Sequence, residues 1–168
     1  MQESQILVAQ QDGLAFVQIK GRASFQNAGS VKSFYGELLE KGILRFVFDL
    51  EDCTYLDSTF LGTLAGLGAK LRRHEPSGEL HILNVSERNL ELMENLGLDR
   101  VLSIKVAAKD FHKPEAQELA SSPTDKKTTG EHMLEAHEEL VKLDPANAPK
   151  FKDVIAYLKE DLGKSQGD

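Results

Sequence analysis

Apolar and polar positions in this chain follow two different periods. Ile6-Leu7-Val8-Ala9 and Leu14-Ala15-Phe16-Val17-Gln18-Ile19-Lys20 read as strands, and Gln11-Asp12-Gly13 between them is a turn signal, so a hairpin is predicted. Val31, Phe34, Tyr35, Leu38 and Leu39 then recur at helical spacing, with Ser24 or Asn27 as the cap and Gly42 at the stop. Arg45-Phe46-Val47-Phe48-Asp49-Leu50 is short and largely apolar, as a strand buried inside a sheet would be. The stretch 51–58 leads into a helix over 59–73, and Pro76-Ser77-Gly78 breaks the chain. Leu80-His81-Ile82-Leu83-Asn84-Val85 reads as a strand, Ser86 caps a helix carrying Leu90, Leu92, Met93 and Leu96, and Gly97 ends it. A last strand is expected over 101–106. Strands alternate with helices after the hairpin, which predicts an α/β fold: a mixed β-sheet flanked by α-helices.

The pattern changes near residue 109. Residues 110–130 are polar, with Pro114, Pro123, Ser121-Ser122 and Lys126-Lys127, and read as a linker between a domain at 1–109 and an appendage at 131–163. In the appendage Met133, Leu134, His137, Leu140 and Val141 recur at helical spacing. After a break at Asp144-Pro145 a second stripe carries Phe151, Val154, Ile155, Leu158 and Leu162, with Pro149 suited to the first turn. Together they predict a C-terminal helical hairpin. Two short helices rarely stand alone in water, so the hairpin is expected to dock on the main domain, a second copy or a partner. Docked on its own domain, it would act as an autoinhibitor.

Composition narrows the classes. The 168 residues leave room for one domain and an appendage. A net charge of −7 and a pI near 5.3 supply no field for nucleic acid or anionic lipid. Met1-Gln2-Glu3-Ser4-Gln5 has neither the basic nor the apolar region of a signal peptide. The most apolar helix candidate, 60–71, is shorter than the ~20 residues of a membrane span, so no membrane insertion is expected. Cys53 is the only cysteine, which excludes an internal disulfide and fits a reducing cytoplasm. The histidines at 74, 81, 112, 132 and 137 form no metal-binding pattern. The spacing of His132 and His137, five apart, puts them on different helix faces. Ser58 lacks a Gly-x-Ser-x-Gly context, and no cofactor or metal is expected. Gly62, Gly66 and Gly68 fall within a helix, where they read as close helix-to-sheet packing rather than a phosphate cradle.

The informative segment is Leu50-Glu51-Asp52-Cys53-Thr54-Tyr55-Leu56-Asp57-Ser58-Thr59-Phe60-Leu61-Gly62. A buried strand ends, the chain turns, and a helix opens on an acid and two hydroxyls. On spacing alone Asp57 or Ser58 is an N-cap, contributing about 1 kcal/mol. The same segment resembles the STAS signature of bacterial anti-sigma factor antagonists: a strand ending in Asp-Leu, a six-residue turn, Asp-Ser-Ser/Thr, then an apolar helix with an early glycine. The order of elements agrees, and Asn84-Val85-Ser86 followed by Leu96-Gly97-Leu98 resembles the family's approach to its final strand.

The resemblance implies a non-catalytic switch. It makes Ser58 the phosphoacceptor, with Thr59 as second choice, and places partner binding on Asp57, Ser58, Thr59, Phe60 and Leu61. The implied partners are an anti-sigma factor that doubles as a serine/threonine kinase and a PP2C-type phosphatase. A second copy of the chain is a further candidate, as a homodimer. Phe60 stands where the family has glycine, and the expectation is an apolar ring beside the switch surface, against which a partner packs flat. Phosphate adds about −1.5 to −2 charge at a helix start beside Asp57, a charge that such a partner would have to desolvate. The alternative is a STAS accessory subunit of a membrane transporter complex. An enzyme or ligand-binding protein is a third class, and would need a pocket with convergent polar groups.

Overall fold

The computed structural model describes residues 4–105, 107–108, 110–121 and 124–166. Val106, at the end of the last expected strand, and Lys109, at the expected domain boundary, lie outside the described residues. Strands β1 (Gln5–Gln11) and β2 (Leu14–Ala23) pair antiparallel across a two-residue turn. Asp12 and Gly13 both take positive φ there, the twist that a tight hairpin needs. Helix α1 (Phe25–Glu40) follows, capped by Ser24 in a reciprocal box with Asn27. Strand β3 (Arg45–Asp49) lies parallel to β2, β5 (Glu79–Leu83) parallel to β3, and β6 (Ser103–Lys105) parallel to β5. Helices α2 (Ser58–Arg73) and α3 (Glu87–Asn95) connect them, and Ser86 caps α3.

Two strands depart from the expected pattern. The stretch read as a turn after Leu50 contains β4 (Cys53–Leu56), which pairs parallel with the end of β2. It was hidden because Cys-Thr-Tyr-Leu is too short to show a period. The polar stretch read as a linker contains β7 (Gln117–Glu118), which pairs antiparallel with β1. The described residues thus form one mixed sheet in the order β6-β5-β3-β2-β1-β7, with β4 beside β2.

Alternation sorts the sheet's two faces. Val17, Ile19, Phe46, Phe48, Leu80 and Ile82 join the large core, which α2 completes with Phe60, Leu64, Leu67 and Leu71. Phe16, Val47 and Leu83 point the other way and form a smaller cluster with Ala108, Phe111 and Ala116. Phe111 stacks on Phe16 at 5.9 Å between ring centres. Lys113 then reaches the fully buried Asp49 at 2.7 Å and also pairs with Glu51. Residues 110–121 therefore do not hang free; they are fastened across one face of the sheet and one edge.

Helix α4 spans Lys126–Leu143 and α5 spans Ala148–Gln166, joined by a 3-10 turn at Pro145–Asn147. Helix α4 begins ahead of residue 131 because Asp125 caps it, its carboxylate accepting from the Thr128 amide at 2.7 Å. The hairpin docks on its own domain, with α4 laid along α2. Ala136, His137 and Leu140 of α4, and Leu158 and Leu162 of α5, are buried. Met133, Leu134, Val141, Phe151, Val154 and Ile155 are half-buried. No described helix is long and apolar enough to cross a membrane.

Candidate functional site

The site is built where β4 hands over to α2. Asp57 is extended, with φ −99 and ψ 170, and its Oδ1 accepts from the Phe60 amide at 2.8 Å. Its Oδ2 accepts from the Phe25 amide at 2.7 Å. One carboxylate therefore caps α2 and ties it to the first turn of α1, so the N-cap reading of Asp57 holds. Ser58 is the first residue of α2, as a phosphoacceptor at a helix start requires, yet it is half-buried rather than exposed.

The cover is α4. Ser58 Oγ lies 2.8 Å from Nε2 of His137, a residue only 2% exposed. His137 Nδ1 is 2.6 Å from the Met133 carbonyl, which can only accept, so the ring carries its proton there. The other nitrogen then accepts the Ser58 hydroxyl proton. The edge of Phe151 closes over the same imidazole at 5.2 Å. One turn along α2, Thr63 Oγ donates to the Thr59 carbonyl at 2.8 Å and accepts from His132 Nε2 at 3.0 Å. The two histidines thus hold opposite tautomers against one helix. The expectation from their spacing was different faces; α4 sits close enough to α2 for both rings to reach it from either flank.

That closeness rests on Gly62. A Cβ built there would fall 2.1 Å from the Ala136 carbonyl oxygen, so only glycine allows the crossing. Gly66 faces Glu139 of α4 and Gly68 faces Val101 and Leu102. The expected helix-to-sheet role of these glycines is corrected: two serve contact with α4, and the third serves the loop before β6.

Other expected contacts are also corrected. Thr59 and Leu61 are 2% exposed and Phe60 is fully buried. Three consecutive helical residues point in different directions. All three are covered because α2 is packed against the sheet, α1 and α4 at once, so no partner packs flat on Phe60 and Leu61 in this arrangement. Of the five residues assigned to partner binding, Asp57 and Ser58 alone keep partial exposure.

Charge at the site is modest and paired. Lys32 of α1 pairs with Glu135 of α4. Burial would push the Glu135 carboxyl up, but bonding to Lys32 and the charges of Lys32, Lys70 and His132 outweigh it and hold the carboxyl down. Burial lowers the pKa of His132, Lys32 lowers it further, and Glu135 opposes both. Burial raises Tyr35, with Glu135 and Glu139 adding to the effect, and burial also pushes the Cys53 thiol up. A groove of about 230 Å³ between α1 and α4 is lined by Phe25, Lys32, His132 and Glu135, and its lysine and glutamate already pair with each other.

The family model described as "STAS domain" matches residues 5–110, more than half of the chain. The chain belongs to the STAS domain family. The STAS fold extends to solved structures of low identity. The unphosphorylated form of the anti-sigma factor antagonist SpoIIAA superposes with a TM-score of 0.53 at 13% identity, covering 63% of this chain and 90% of that one. The phosphorylated form of the Bacillus cell fate determinant SpoIIAA gives 0.52 at 14%, covering 62% and 93%. An anti-sigma factor antagonist from Mycobacterium paratuberculosis gives 0.52 at 22%, covering 64% and 90%. No curated protein matches the chain. The STAS region thus carries the shared fold, and α4 and α5 lie beyond the residues that the family model matches.

His137 is the site residue that sequence reasoning did not assign. Its signal was present: a histidine stands inside the apolar stripe of α4, where a buried polar side chain calls for a partner. The partner, Ser58, is 79 residues away in sequence, and no local pattern names it.

Proposed function

We propose that this STAS protein is a phosphorylation-controlled anti-sigma factor antagonist, a non-catalytic partner-switching regulator of the cytoplasm. The observation that carries the reading is the position of Ser58: the first residue of α2, directly after an aspartate cap, in a STAS domain. The similar structures include one antagonist in both unphosphorylated and phosphorylated forms. Unphosphorylated, the Ser58 face binds an anti-sigma factor that is also a serine/threonine kinase. That kinase transfers the γ-phosphoryl of ATP: the Ser58 Oγ–P bond forms, the bond to ADP breaks, and the hydroxyl proton leaves to the kinase's base. A PP2C-type phosphatase restores the hydroxyl with water. Amides at the helix start and the helix dipole favour an anion, so the domain stays folded when modified. Ser58 is favoured over Thr59, a residue only 2% exposed.

The test is capture from a lysate with Ser58→Ala and Ser58→Asp proteins, followed by identification of what each retains. A serine/threonine kinase held by Ser58→Ala and lost with Ser58→Asp is the expected result. Equal capture of a membrane transporter by both proteins would instead establish the accessory-subunit alternative. Mass spectrometry of protein phosphorylated by the captured kinase is expected to find phosphate on Ser58, and phosphate solely on Thr59 would move the switch by one residue.

A further inference from the structure

We propose that α4 is an intramolecular competitor for the Ser58 face of α2, and that a seated α4 and a phosphate on Ser58 exclude one another. The proposal rests on Ser58 being the phosphoacceptor and adds the regulation of that site. Three observations carry it. The imidazole of His137 occupies the space directly off Ser58 Oγ, at 2.8 Å, where a phosphoryl group on the present side-chain rotamer would stand. That imidazole is buried beneath Phe151, so it cannot step aside while α4 and α5 stay in place. The seat itself is a notch at Gly62 into which the Ala136 backbone fits, a contact specific to α4.

The hairpin is also tethered away from the switch. Asn147, fully buried in the turn between α4 and α5, donates to the Leu96 carbonyl at 3.0 Å and the Leu140 carbonyl at 2.8 Å. Lys150 donates to the Asn95 carbonyl at 2.9 Å, and Arg100 pairs with Asp144 at 3.5 Å. Release at Ser58 therefore leaves the turn attached, and α4 reseats from close range after dephosphorylation. A partner must bind the fraction of molecules in which α4 is lifted, which lowers its apparent affinity by that fraction. By linkage the competition is mutual: whatever holds the Ser58 face, partner or phosphate, lifts α4.

The experiment uses the full chain in three forms: unmodified, with phosphoserine installed at position 58 during synthesis, and Gly62→Ala. Hydrogen exchange is followed in α4 and in the strands β2, β3 and β5 together. The expected result is at least about a tenfold loss of α4 protection in both altered forms, with strand protection kept. The alanine favours helix in α2 itself, so it burdens the seating of α4 and not the helix that carries it. Unchanged or increased α4 protection with phosphoserine, as pairing of the phosphate with a protonated His137 would give, overturns the proposal. So does loss of strand protection in step with α4 in both forms, because hairpin and domain would then be one unfolding unit. Capture that responds to Ser58→Asp while α4 stays protected against phosphoserine removes the competitor and leaves the partner switch. Lifting of α4 with no kinase captured does the reverse.

Discussion

The two sides of α2 are built on opposite principles. Its inner side, Phe60, Leu64, Leu67 and Leu71, is fully or almost fully buried and wholly apolar. Its outer side presents Ser58, Gly62, Thr63 and Gly66 to α4, and the contacts there include two hydroxyl–imidazole bonds and a close backbone crossing beside the apolar anchor of Leu140. Apolar burial is non-directional and tolerates small shifts, whereas a hydrogen bond between neutral groups contributes only about 0.5–1.5 kcal/mol net and fails when its geometry is lost. The inner side makes the helix permanent. The outer side makes its cover removable.

The contrast is tested most severely on the inner side. Phe60→Ala is expected to destabilise the whole molecule by about 3–5 kcal/mol, seen as a lowered midpoint of urea unfolding with strands and hairpin lost together. A loss confined to the hairpin would mean that the two sides are not distinct. Leu140→Ala comes next. Leu140 is fully buried on α4 and packs into the main core, so about 2–5 kcal/mol is expected. Here hydrogen exchange is expected to rise in α4 and α5 first, with the strands still protected.

A smaller effect is expected away from α2. Lys113→Ala removes the cation from buried Asp49 but leaves its bonds from Asn84 Nδ2 at 2.8 Å, Gln18 Nε2 at 3.2 Å and the Glu51 amide. Because the lysine is about a third exposed, a loss of about 1 kcal/mol in urea unfolding is expected. An unchanged midpoint would show that residues 110–121 are held by Phe111 and β7 alone.

The smallest effect concerns pH. The folded state lowers the His132 pKa, so the unfolded chain binds the proton more readily. Stability from this ring is present above its ordinary value of 6.5 and is lost as pH falls through the lower, folded value. The groups facing the ring are Thr63 from α2, Lys32 from α1 and Glu135 on its own helix. Protection of α4 is expected to weaken as pH falls below the ordinary histidine value of 6.5, and His132→Gln is expected to flatten that slope. A slope unchanged by His132→Gln would assign the pH response to another group.

Much of this molecule was legible in sequence, for identifiable reasons. The Asp-Gly hairpin, the Ser24 and Ser86 caps and the alternating elements follow from local chemistry, which needs only neighbours in the chain. Ser58 at the start of α2 was legible for the same reason. What sequence missed depends on contacts across long separations. The inward turn of Phe60 depends on where the sheet lies. Strand β7 is two residues long and is defined only by its pairing with Leu7 and Val8. The meaning of Gly62 lies in Ala136, and that of His137 in Ser58. Helical periodicity located the stripe on α4 and could not say what it would meet.

The segment between the STAS domain and the hairpin has a consequence for how this protein meets its neighbours. Strand β7 pairs with β1 at residues Leu7 and Val8, and Leu119 donates to the Ile6 carbonyl at 2.8 Å, so part of an edge that could template another strand is already taken. The same segment lays Phe111 on Phe16 and brings Ala116 to the second apolar cluster of the sheet. A chain cut after residue 109 would lose the hairpin, the edge guard and the apolar cover in one stroke. Its strands would then be free to recruit copies of themselves, and self-association would masquerade as a regulatory effect. A cut after residue 121 keeps the guard and removes the hairpin alone.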